Sequence, residues 1–211
     1  MNRTLIETVR LRDGVAPLWY LHLRRLAASC QAIGVPLPGE LITPAGGHDR
    51  VHRLEVSRRG LQVSERPVTH QSGVRLAISP VPHEGYPHKT TDRRQFERTL
   101  AAARERGADD GILLTEGGFV AEAAIWTLLW WDEGRICAPP LTLGILPSVA
   151  RARVAEMAGT IEERRIRPAD LRGRPLLAAN AVRGLVPVTW LDGAGVPEWP
   201  GLEGLSERFW A

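Results

Sequence analysis

Lysine is almost absent from this chain of 211 residues: of its 27 Lys and Arg residues only Lys89 is lysine. Cysteine is equally scarce, and Cys30 and Cys137 alone exclude a disulfide framework as the organising principle. No apolar run approaches the roughly 18–20 residues a membrane helix needs. The opening Met1–Glu7 carries an acid in its first apolar run and no leader-type core, so the expectation is a cytoplasmic protein without a membrane partner. Aromatics make up 6%, and the arginines are scattered among 24 acids rather than gathered in one stripe. That pattern argues against nucleic-acid binding despite the charge of +3 and the pI near 9.4.

What remains is a chain with 44% hydrophobic residues, enough for a packed core. Thr4–Leu11 reads as a strand closed by the Asp13-Gly14 turn, and Ala16–Trp19 as a second extended piece. In 21–33, Leu23, Leu26, Cys30 and Ile33 recur at helical spacing before Gly34 and Pro36 stop the helix. Segments 53–57, 61–64 and 74–79 alternate like half-buried strands, the first two forming a hairpin at Arg58-Arg59-Gly60. Pro80, Pro82, Gly85 and Pro87 interrupt regular structure, which places a domain joint there, with residues 1–85 before it and 86–211 after it. Beyond it, helices are predicted at 92–106, 147–158 and 168–171. Strands are predicted at 111–115, 119–121, 127–131, 135–138, 176–179 and 186–191.

Lys89 lies at that joint, in Pro87-His88-Lys89-Thr90-Thr91-Asp92. A lysine amine loses its proton when desolvated and becomes a nucleophile, which arginine does not, so Lys89 is either kept for chemistry or a chance survivor of the arginine bias. Glu122 follows a short strand among Ala123, Ala124 and Ile125, and is either paired in apolar company or turned to solvent. After Leu146-Pro147, the amides of Ser148, Val149 and Ala150 open a helix and suit an anion, although many such helix starts bind nothing. Arg25 offers a guanidinium to the same anion, or is a solvated helix-face residue. The six histidines include no convincing ligand spacing, so no metal site is expected, and neither a nucleophile elbow nor a Walker loop is present.

Taken in order, Glu7-Thr8-Val9-Arg10, His22-Leu23-Arg24-Arg25-Leu26, His88-Lys89-Thr90-Thr91, Val120-Ala121-Glu122, Leu146-Pro147 and Asn180-Ala181-Val182-Arg183-Gly184 resemble the class IV aminotransferase superfamily. These are the fold type IV pyridoxal phosphate enzymes, and the resemblance is nearest to the aminodeoxychorismate lyase branch. It implies an α/β (α+β) architecture with a small N-terminal α/β domain and a larger C-terminal pseudo-barrel. It implies pyridoxal phosphate bonded to Lys89, Glu122 beside the pyridine nitrogen, and Leu146 on the ring face. Arg25, Ser148, Val149, Ala150 and Ala181 would lie at the phosphate, and Arg93, Arg53 and Asn180 at the substrate. It further implies a homodimer and conversion of 4-amino-4-deoxychorismate to 4-aminobenzoate and pyruvate for folate synthesis, with Lys89 moving the proton. A transaminase acting on D- or branched-chain amino acids, or a relative that keeps only the fold, are the alternatives. Ala150 and Ala181 stand where many transaminases of the superfamily carry a hydroxyl, which favours the lyase branch. The tyrosine usual after the lysine and the N-terminal extension of free-standing relatives are missing.

Overall fold

The computed structural model describes residues 4–211; residues 1–3, part of the opening run read above, lie outside the described residues. In chain order the elements are β1 (Leu5–Leu11), α1 (Trp19–Ile33), β2 (Arg50–Ser57), β3 (Gly60–Arg66), β4 (Val74–Pro82), α2 (Arg94–Glu105), β5 (Asp110–Leu114), β6 (Val120–Ala123) and β7 (Thr127–Asp132). They continue with β8 (Arg135–Ala138), α3 (Val149–Ala158), β9 (Glu162–Glu163), α4 (Pro168–Leu171), β10 (Leu176–Asn180), β11 (Gly184–Leu191), β12 (Ala194–Gly195) and α5 (Leu202–Phe209). The short sheet is β1-β2-β3, antiparallel throughout. The long sheet runs β6-β5-β4-β11-β10-β7-β8-β9, with β12 on β11, and curls into a half-barrel. This is the mixed α/β architecture the resemblance implies.

Alternation explains why the middle of the long sheet is apolar without a break. Leu128 and Trp130 of β7, with Leu176 and Ala178 of β10, face one core, while Leu129, Leu177 and Ala179 between them face another. The second core is closed by Val149, Ala150 and Val154 of α3, by Leu205 and Phe209 of α5, and by Leu21 of α1. On its other side α1 covers the short sheet, where Leu26 and Cys30 pack on Leu5 and Val56. One helix therefore touches both sheets and carries Arg25 into the seam between them.

Local chemistry fixes the element ends. Gly34 adopts φ 66° and its N–H bonds Cys30 O, the left-handed cap that stops α1 where the sequence predicts. Helix α3 starts at Val149 rather than at Pro147, because the Ser148 side chain accepts the Arg151 N–H and caps it. Ala16–Trp19 is not extended: Arg12 and Val15 close a turn and α1 begins at Trp19. Strand β4 runs on to Pro82, past Pro80, because its register with β5 is irregular between Ile78 and Pro82 and spares the missing amides. At Gly111 a Cβ would lie 2.6 Å from Thr99 Cγ2, so glycine lets α2 sit tightly on β5. Among the described residues no helix is long and apolar enough to cross a membrane.

Candidate active site

A cavity of about 350 Å³ opens in the seam. Of the residues singled out in the sequence, it brings together Lys89, Arg25, Glu122, Leu146, Ser148, Val149, Ala181, Arg93, Arg53 and Asn180. Ala150 is absent from its wall: the residue is fully buried and packs into the second core, so its side chain turns away from the space its neighbours line.

Lys89 is presented by a loop stitched to β1 and closed on itself by Tyr86. Its carbonyl accepts the Ile6 N–H at 2.7 Å, and the Thr91 N–H bonds Thr4 O at 3.0 Å. The Tyr86 hydroxyl accepts the Thr90 N–H and donates to Thr90 O, each at 2.6 Å. Burial pushes the Lys89 amine down from 10.5 to about 7; Arg93 and Arg25 add to that fall, and Glu7 and Glu122 oppose it. An amine in that range is substantially neutral at neutral pH and is both a nucleophile and a base.

Glu122 belongs to β6 itself rather than to the segment after it, since that strand runs to Ala123. Its Oε1 lies 3.0 Å from His83 Nε2, and the Leu146 N–H reaches both carboxylate oxygens at 3.3 and 3.4 Å. Both side chains are buried, so this is a paired internal carboxylate and not a solvated one. Leu146 packs against the Tyr86 and Phe96 cluster while its amide holds the acid.

Arg25 is not solvated either. Its Nε and Nη2 grip Glu7 Oε1 and Oε2 at 2.9 and 2.6 Å, and Nη1 donates to Pro147 O at 3.3 Å. His22 Nδ1 meets Glu7 Oε2 at 2.6 Å, while His22 Nε2 is buried without a hydrogen-bond partner. Burial works to raise the Glu7 pKa, but Arg25 and His22 outweigh it and hold the carboxyl at about 2. The His22 pKa falls, first through burial and then through Arg25 and Lys89, against Glu7. These contacts spend three of the five guanidinium N–H groups of Arg25. The guanidinium thereby sits beside the start of α3, whose first amides have no carbonyl within the helix.

The remaining positions differ in what they are free to do. Arg93 donates to Ala124 O at 2.7 Å and stacks 4.6 Å from the Phe96 ring centre. Arg53 is engaged by Glu55 at 2.7 Å. Asn180 shapes its own turn, its Oδ1 accepting the Val182 and Arg183 N–H groups at 3.0 and 2.8 Å. The sequence alone assigns no role to His83, Asp110, Glu7 or His22, although the last two stand in the motifs that carry the resemblance. Asp110 is fully buried and accepts the Gly111, Ala124 and Ile125 amides, so it ties down the bend between Glu122 and Arg93's anchor.

The fold is shared with solved structures. A hypothetical aminotransferase from Mycobacterium tuberculosis in its PLP-bound form superposes with a TM-score of 0.86 at 23% identity, over 98% of this chain and 87% of its own. A branched-chain aminotransferase from the archaeon Thermoproteus uzoniensis, solved with norvaline, gives 0.85 at 21% identity, over 98% and 84%. A structure described as a candidate 4-amino-4-deoxychorismate lyase gives 0.82 at 26% identity, over 99% and 90%. No curated protein sequence matches the chain. The family model for amino-transferase class IV matches residues 61–191, well over half of the sequence. The chain belongs to the amino-transferase class IV family.

Proposed function

We propose that this protein is a pyridoxal-phosphate-dependent 4-amino-4-deoxychorismate lyase, which releases 4-aminobenzoate and pyruvate. The observation that carries the reading is one amine, Lys89, with its pKa lowered to about 7 between an acid held by His83 and a guanidinium held by Glu7. The donor set fits the cofactor from end to end. Arg25 with the Ser148 and Val149 amides suits a phosphate, Glu122 suits a protonated ring nitrogen, and Lys89 suits a carbonyl carbon. Ala181 lines the same wall without contributing a hydroxyl.

When bound, the cofactor supplies an electron sink for the charge left by proton removal. The chain's residues supply the rest. Glu122, kept in place by His83 and the Leu146 amide, holds the proton on the ring nitrogen. The Lys89 amine takes the proton from the amine-bearing carbon of the substrate and returns it to the departing enolpyruvate, so no external acid is consumed. Arg93, steadied by Ala124 O and the Phe96 ring, offers its charge to a substrate carboxylate. The proposed working form is a cytoplasmic homodimer serving folate synthesis.

Transamination is the second reading, favoured by the aminotransferases among the similar structures. The reconstituted protein, mixed with an amino acid alone, separates the two. A lyase leaves the cofactor spectrum unchanged over the time in which a transaminase converts it to the amine form. Full conversion with a D- or branched-chain amino acid would replace the lyase reading.

A further inference from the structure

Five arginines line the cavity, and their charges are not spent alike. Arg25 is neutralised by Glu7 and Arg53 by Glu55. Among the described residues Arg66, Arg93 and Arg183 have no acid partner. These three fall into two places. Arg93 is the strongest charge acting on the Lys89 amine. Arg66 and Arg183 share the other part of the cavity wall, where the charge of Arg66 acts on Arg183.

Topology makes that second pair. Arg66 is the last residue of β3 in the short sheet, and Arg183 sits in the turn leading into β11 of the long sheet. Arg183 reaches across to the segment after β3, where Nη2 donates to Thr69 Oγ1 at 2.7 Å and Nε to Thr69 O at 3.2 Å. Its guanidinium lies 5.6 Å from the Trp126 ring centre. All these partners are neutral, so they orient the group and leave its charge uncompensated. Burial, and then the neighbouring Arg66, lower the Arg183 pKa, as expected of two cations waiting for an anion.

We propose that Arg66 and Arg183 form an anion subsite for a second, distal carboxylate of the substrate, so that the cavity selects amines carrying two separated acid groups. The inference rests on the reading that this cavity is the reaction site, and it gives the distal contact to residues other than Arg53, which is spent on Glu55. A planar guanidinium accepts a carboxylate through two parallel hydrogen bonds, and two guanidinium groups facing one carboxylate relieve their mutual repulsion. Trp126 beside Arg183 gives an unsaturated ring an apolar wall next to the charge.

The test is binding to the cofactor-loaded protein, read by tryptophan fluorescence with isophthalate and benzoate as probes. Wild type should bind isophthalate at least about tenfold more tightly than benzoate. Arg183→Gln should remove most of that preference while changing benzoate affinity by less than about twofold, and Arg183→Lys should restore part of it. Arg66→Gln, on an exposed edge strand where folding is not at stake, should act in the same direction. Arg66→Gln combined with Arg183→Gln should lose less than the sum, because both residues serve one carboxylate. Equal binding of the two probes by wild type, or equal losses for both probes in the variants, would overturn the subsite. A wild type that prefers isophthalate yet yields no 4-aminobenzoate supports the subsite and removes the lyase reading, so the two fail separately.

Discussion

Glu7 and Arg25 meet through two parallel hydrogen bonds, Nε to Oε1 at 2.9 Å and Nη2 to Oε2 at 2.6 Å, with the carboxylate 2% exposed. The pair joins β1 of the short sheet to α1, and through Pro147 O to the segment before α3, which packs on the long sheet. A fork held on one side presents its remaining donors in a fixed direction on the other.

Glu7→Gln should therefore weaken binding of pyridoxal phosphate by about tenfold, while affinity for pyridoxal, which lacks the phosphate, changes by less than about twofold. Fluorescence titration with both compounds checks this. The folded Glu7 carboxyl titrates at about 2 against an ordinary value of 4.5. Its contribution to stability is complete above pH 4.5 and is lost as pH falls toward 2, and urea denaturation of Glu7→Gln should lack that slope.

Lys89 acts in a higher window and with the same sign. The folded amine titrates at about 7 and an ordinary lysine at 10.5, so the unfolded chain holds the proton more tightly between those values. Stability should rise with pH from 7 to 10.5. Lys89→Met, measured without added cofactor, should be more stable than wild type at pH 7 by roughly 4 kcal/mol, the gap closing by pH 10.5.

Asp110 is a structural acid at the edge of the site. Asp110→Ala leaves three amides, two of them buried, without their acceptor and should cost about 3 kcal/mol in urea denaturation. Burial pushes its carboxyl up to about 7 against the three amides that lower it. Its own contribution therefore declines as pH rises from 3.8 through about 7, and the alanine variant should lose that dependence.

Two alanines that look alike in the sequence should behave differently. Ala181 lines the cavity, and Ala181→Ser should tighten pyridoxal phosphate binding by roughly threefold through one added hydroxyl. Ala150 is buried in the second core, and Ala150→Ser should cost about 1–2 kcal/mol of stability with no gain in binding. Equilibrium dialysis and thermal unfolding on both variants check the contrast.

The features legible in the sequence are those with local signals. The spacing of Leu26 and Cys30 with Gly34 behind them gives α1, alternation gives the β2–β3 hairpin, and isolation of one lysine in an arginine-rich chain marks Lys89. What escaped is what folding assembles over distance. His83 reaches Glu122 from 39 positions away, and Arg183 finds Thr69 from 114 away, because β4 and β11 lie side by side in the long sheet. Nothing near either residue announces its partner. Glu7 and His22 stand in the motifs that carry the resemblance, but their work on Arg25 depends on β1 packing under α1. Helix α5 passed unnoticed because its eight residues bury only Leu205 and Phe209, too few to show a period.

The proposed lyase reaction in this cavity depends on the Lys89 amine. Purified protein loaded with pyridoxal phosphate should be given enzymatically generated aminodeoxychorismate, with 4-aminobenzoate and pyruvate quantified in the same sample. Equimolar release of both, absent from Lys89→Ala, is the predicted result. Equal release by the Lys89→Ala protein, or no release from a wild type that has bound the cofactor, would contradict the account.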